Sequence, residues 1–205
     1  MKSRMLAAGS GVFMSAVSAS RRFAWAAARV AAAGLALLIA GGSVETRIDI
    51  EAYPISGRTH AELVGSVKLH APMGGRVYGI GFIDFDPRFE TRSEMGVCRV
   101  AAADTGLKVE LRVPEWRGGS DAPKGVARVA RNFERVIRAH EMHHVAIAKS
   151  YQKRIAAAVK ALEPEKSCWA LRDRAEALIQ RLKAQHRDAQ RAFDRRTWRQ
   201  LARLL

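Results

Sequence analysis

Three observations on the 205-residue sequence predict an α+β fold. Strand-like alternation of apolar and polar residues is confined to roughly residues 45–113. Beyond about residue 125, apolar residues instead recur at spacings of three and four. No segment repeats. Strand runs followed by helix runs predict a small, mostly antiparallel sheet and then two long helices. A 48% apolar content is enough for one core and excludes wholesale disorder. Two cysteines exclude both a disulfide-dense miniprotein and a zinc ribbon with four thiolates.

Thr46, Ile48 and Ile50 alternate with charged neighbours over 45–52 and predict a strand, and Tyr53-Pro-Ile-Ser-Gly57 a turn. Thr59-His-Ala-Glu62 is a capping box: the threonine hydroxyl accepts from the Glu62 amide while Glu62 reaches back, opening a short helix to about Leu69. Gly74–Asp86 carries Val77, Tyr78, Ile80, Phe82, Ile83 and Phe85 among glycines, a strand with room for bulges. Val97–Ala103 and Leu107–Val113 flank Asp104-Thr-Gly106, which predicts a hairpin. The first long helix ends at about Leu162, before Pro164, and the second starts near Trp169.

Residues 1–43 contain five basic residues and no acid, and end in the apolar run Val30–Ala40 followed by Gly41-Gly42-Ser43. That order predicts a signal peptide, or an uncleaved membrane anchor, ahead of a domain at 44–205 that is periplasmic or secreted. Ser20-Arg21-Arg22-Phe23 is faintly similar to a twin-arginine signal. In such a compartment Cys98 and Cys168 are expected to form a disulfide. The whole-chain charge of +15 falls to +10 without the leader, with eight basic residues between Arg181 and Arg203. Outside the cytoplasm this face suits anionic lipid or cell-wall polymer, not nucleic acid, or simply serves as a solvated surface.

His140-Glu141-Met142-His143-His144 contains HExxH in the middle of the first long helix. Positions i and i+4 share a helical face, so His140 and His144 can offer two imidazole nitrogens to one metal, with Glu141 beside a water on it. For this composition the motif arises by chance about once in a hundred sequences. The apolar seam supplies a second argument. Phe133 and Ile137 precede the histidines and Ile147, Tyr151, Ile155, Ala158 and Leu162 follow, so the imidazoles fill the core-facing gap. Burying such groups without partners costs about 1–3 kcal/mol each, which ligation or hydrogen bonding removes.

A catalytic zinc site takes three protein ligands and leaves a fourth position open. A helical hairpin folded about residue 165 sets 144 opposite 186. His186 lies on its own apolar seam of Leu171, Ala175, Leu178, Leu182, Ala189 and Phe193, and is the expected third ligand, with Asp194 the alternative. Glu176, Glu163 and Glu165 fall too far along the hairpin. His143 reads as a substrate contact or a surface imidazole.

Tyr53-Pro-Ile-Ser-Gly57-x-Thr59, the aromatic strand through Phe85, Cys98, Leu111-x-Val-Pro114-x-Trp116, HExxH, Cys168 and Phe193-Asp194-x-x-Thr197 together resemble the bacterial domain of unknown function 922 family, described as predicted secreted zinc-dependent proteases. The resemblance spans roughly 44–197. It implies a zincin-like metalloprotease domain with His140 and His144 as ligands and Glu141 as base. The expected function is hydrolysis of a peptide or protein of the cell envelope by a zinc-dependent peptidase, with the Leu107–Val113 strand accepting an extended substrate. The rival expectations are an envelope protein whose metal is structural, and a basic binding module whose histidines are ordinary core. Di-iron, P-loop, dinucleotide and nucleophile-elbow patterns are absent.

Overall fold

A computed structural model describes residues 45–205, and the leader expected at 1–43 lies outside the described residues. Strand β1 (Thr46–Ile55) is followed by α1 (His60–His70), the single turn α2 (Pro72–Gly75), β2 (Ile80–Glu94), β3 (Val97–Trp116), α3 (Lys124–Lys160) and α4 (Cys168–Leu201). The expected capping box opens α1. Thr59 Oγ1 accepts from Glu62 N at 3.2 Å, and Glu62 Oε2 accepts from Arg58 N at 2.7 Å, one residue earlier than the motif requires.

The sheet has the order β1-β3-β2 and is mixed. The chain leaves β1 at the end where Ile55 meets Trp116, crosses through α1 and α2, and enters β2 at that same end, where Ile80 meets Arg112. β1 and β2 therefore run oppositely without being neighbours, and the expected mostly antiparallel sheet has one parallel and one antiparallel pairing. β3 then inserts between them, parallel to β1 and antiparallel to β2.

Three boundaries correct the sequence reading. Tyr53-Pro-Ile55, expected in a turn, continues β1 in register with Pro114–Trp116. Gly74 and Gly75 belong to α2, so β2 begins at Ile80. The Asp104-Thr-Gly106 hairpin does not form, because β3 is one strand of 20 residues. Thr105 and Gly106 are buried at its centre, where Leu107 N donates to Glu45 O and Thr105 O accepts from Gln152 of α3. The turn falls instead at Met95-Gly96, both with positive φ, between the paired Glu94 and Val97. A two-residue connection of that handedness matches the twist of the strands it joins.

One sheet face carries charged residues, among them the pairs Lys108–Glu110 and Arg112–Glu51. The other packs Phe85, Leu107, Val109 and Leu111 against Val145, Ala148 and Ile155 of α3 and Ile179 and Leu182 of α4. A second cluster joins Tyr53, Ile55, Leu63 and Val67 to Ala130, Phe133 and Ile137, with Leu201 at the end of α4 and Leu204 just beyond it. The expected disulfide joins Cys98 to Cys168. It closes the far end of the hairpin, where Cys98 and Glu165 also exchange two backbone hydrogen bonds. No helix of the described residues is long and apolar enough to cross a membrane.

Candidate metal centre

α3 carries both HExxH histidines because its buried stripe, Phe133, Ile137, Glu141, His144, Val145, Ala148, turns toward the sheet and α4. His144 and Glu141 are buried, and His140 lies at the edge of the same gap. From α4, Asp194 points into it. His140 Nε2 and His144 Nε2 lie 3.1 Å apart, and Asp194 Oδ1 stands 3.4 Å from the first and 2.9 Å from the second. Three donors arranged tetrahedrally about zinc at roughly 2.0–2.1 Å would be separated by about 3.3 Å. The triangle has the edge lengths of one face of such a tetrahedron. Among the described residues, His140, His144 and Asp194 form the group that can hold a metal ion.

The electrostatics follow from this crowding. Burial acts to raise the Asp194 carboxyl, but hydrogen bonds from His140 and His144 outweigh it and hold the group well below the usual carboxylate range. Burial likewise acts to lower His144, yet its hydrogen bonds to Asp194 and Gln190 prevail and raise it. Glu141 is raised, first by burial; the His144 and His140 charges pull it back and Asp194 adds to the rise. A carboxylate shifted upward in a half-closed site is the kind of group that accepts and returns a proton.

Glu141 owes its position to the missing side chain of Gly79 across from it. A methyl group at Gly79 would lie 2.8 Å from both Cγ and Cδ of Glu141, and one at Gly81 would lie 3.7 Å from Oε2. Tyr53, buried at the end of β1, donates its hydroxyl to Tyr78 O at 2.6 Å and so holds the chain just ahead of Gly79.

The expected third ligand stands elsewhere. His186 is outside the three-residue group; its Nε2 lies 2.7 Å from Gln190 Nε2, and its ring meets Phe85 and Tyr151 edge-on. Burial, reinforced by the charges of Arg187 and His144, pushes it down to about 4, so it is neutral near pH 7. The structure brings the alternative, Asp194, to the site in its place. The hairpin pairs 144 with 190 and 140 with 194, which centres it on residue 167 and not 165. His143 is exposed and stacks on Phe193 at 4.1 Å.

Sequence reasoning overlooked Gln190, Phe193 as a support, Thr197 and the two glycines. Phe193 stacks on His140 at 4.8 Å and meets His144 edge-on at 5.0 Å, so one ring steadies both imidazoles. Thr197 Oγ1 donates to Phe193 O at 3.0 Å and lies 3.5 Å from His140 Nδ1. The signal was present in the segment Phe193-Asp194-x-x-Thr197, whose spacing puts all three on the face of α4 that meets the histidines. The Leu107–Val113 strand is not open to a substrate, because β3 is paired on both edges. The unpaired edges belong to β1 and β2.

No curated protein and no solved structure matches the chain. A family model described as "Bacterial protein of unknown function (DUF922)" matches residues 50–200, from β1 to the last turns of α4, and thus includes every residue of the site. The chain belongs to this family of bacterial proteins, the domain of unknown function 922 family.

Proposed function

We propose that the protein is a zinc-dependent peptidase acting outside the cytoplasm. The observation that carries this reading is the convergence of His140, His144 and Asp194 with a buried Glu141 on the same helix. Three donors of nitrogen and oxygen at these separations fit zinc, and the group of three leaves a fourth position for substrate or water. A buried carboxylate one residue along from His140 favours catalysis over a structural metal, which needs no base. Zinc there would supply the positive charge that polarises a peptide carbonyl and acidifies a water. Glu141 accepts the proton of the attacking water and delivers it to the departing amine. Its raised affinity for protons suits both halves of that transfer.

An extended peptide would lie along the unpaired edge of β2, which starts beside Glu141 at Gly79–Gly81. The Cys98–Cys168 disulfide supports an oxidising compartment, periplasmic or secreted. The substrate would then be a peptide or protein of the cell envelope. Arg181, Arg187, Arg195 and Arg199 are exposed along α4 and would hold the enzyme near anionic lipid or cell-wall polymer.

The deciding experiment compares the parent with Glu141→Gln for zinc content and for cleavage of a mixture of unstructured peptides. Near one zinc in each protein, with cleavage by the parent alone, is the expected result. Retained cleavage by the variant would remove Glu141 from the mechanism, and a parent without zinc would remove the reading altogether.

A further inference from the structure

We propose that Gln190 is a positioning residue for the metal centre: anchored by the His144 carbonyl and by His186, it dictates which nitrogen of His144 faces the metal. The inference rests on the peptidase reading only for its consequence; the hydrogen-bond logic stands without it.

The amide of Gln190 is completely buried and meets three partners. One of its terminal atoms lies 3.1 Å from the backbone oxygen of His144 and 2.7 Å from Nε2 of His186, and the other lies 2.5 Å from Nδ1 of His144. A carbonyl oxygen only accepts, so the atom facing it must be the NH2 group; the reverse orientation would set two acceptors against each other in a buried place. That assignment propagates in both directions. The second N–H of the amide points at His186 Nε2, which must accept, so His186 carries its proton on Nδ1. The amide oxygen points at His144 Nδ1, which must donate. His144 is thereby left to present Nε2 to Asp194 and His140, the nitrogen a metal requires.

His186 enters through this amide. Neutral and buried, it is an acceptor that engages the second N–H and keeps Gln190 from swinging away from His144. Outer partners of this kind set the tautomer and ring direction of a ligating histidine, and their loss weakens metal binding by roughly 10–100-fold.

Zinc affinity is measured by competition with a chromophoric chelator on the full chain and on Gln190→Met, His186→Phe and the double variant, together with the thermal midpoint of each metal-free protein. Gln190→Met is expected to weaken zinc by about 10–100-fold. His186→Phe is expected to weaken it in the parent and to add nothing when combined with Gln190→Met, a coupling that mere packing would not produce. Affinity of Gln190→Met within threefold of the parent overturns the proposal. Should that variant fail to fold, long-range 1H–15N spectra of the metal-free parent above pH 8 decide: protons on Nδ1 of both His144 and His186 support the arrangement, and a His144 with no proton on Nδ1, or a His186 protonated on Nε2, overturns it. A parent that binds no zinc refutes the peptidase reading, and the spectra still test the tautomers.

Discussion

Gly79 stands so close to Glu141 that its missing side chain is the space the carboxylate occupies: a methyl group there would lie 2.8 Å from Glu141 Cδ. The glycine is followed by β2, whose first residues pair with β3, so it cannot retreat. Glu141 must move instead. Gly79→Ala should therefore displace the carboxylate by the order of 1 Å and lower kcat by about a hundredfold, the usual effect of misplacing a reacting group by that amount. Zinc affinity should stay within a few-fold, because His140, His144 and Asp194 are untouched. Steady-state kinetics beside chelator competition separates the two effects, and unchanged turnover would deny Glu141 its place.

The acidic and basic candidates for the third ligand predict different losses. Asp194→Ala removes an oxygen 2.9 Å from His144 Nε2 and leaves two imidazoles facing a cavity. It should weaken zinc by at least about a hundredfold, close to 3 kcal/mol. His186→Phe, acting through Gln190, should weaken it by less. The opposite ranking in the same titration would return the ligand role to His186.

His186 also makes a pH prediction for the metal-free protein. Its folded pKa of about 4 lies below the ordinary value of 6.5, so between those values the unfolded chain binds the proton more readily. The contribution is fully present above pH 6.5 and is lost as pH falls toward 4. A difference of that size corresponds to about 3 kcal/mol as an upper figure. His144, whose pKa is raised, runs the other way, its contribution being lost as pH rises through the folded value. Comparing parent with His186→Phe in urea at pH 4.5 and pH 7.5 isolates the first effect: the variant should show the shallower loss on acidification. Parallel curves would disprove it.

The disulfide closes a loop across 70 residues of sequence. In the chain-entropy account such a link stabilises by roughly 4 kcal/mol. Cys98→Ala with Cys168→Ala should lower the urea midpoint accordingly, and a reductant should lower that of the parent but not of the variant. A variant as stable as the parent would show that the α3–α4 packing needs no link.

Helices, capping box and the pairing of the HExxH histidines on one face were legible because each is written in local spacing, and the disulfide because the described domain holds two cysteines behind a leader-like segment. The third member of the group, Asp194, ranked behind His186, and the reason is geometric. The partner of a residue in a helical hairpin lies as far beyond the centre as the residue lies before it, so an error in the centre doubles. Moving it from 165 to 167 shifts the residue opposite His144 from 186 to 190, about one helical turn, and helical periodicity offers an equally good apolar position at each turn. Asp104-Thr-Gly106 misled for a related reason. A turn-forming triplet is tolerated inside a central strand when its backbone groups find partners, as Thr105 O does in Gln152. The glycines before and within β2 carried no phosphate or turn signature; their meaning lay in a carboxylate far along the chain.

The hairpin is fastened at both ends by different chemistry. Cys168 ties the start of α4 to β3, while Asp194 near its other end meets His140 and His144 of α3. Assembling the three donors is thus a ring closure within one chain, whose effective concentration depends on how firmly the opposite end is tethered. Releasing the sulfur link widens the volume Asp194 explores before it meets the imidazoles. Reduction of Cys98–Cys168 would thereby loosen a candidate metal site that itself contains no sulfur.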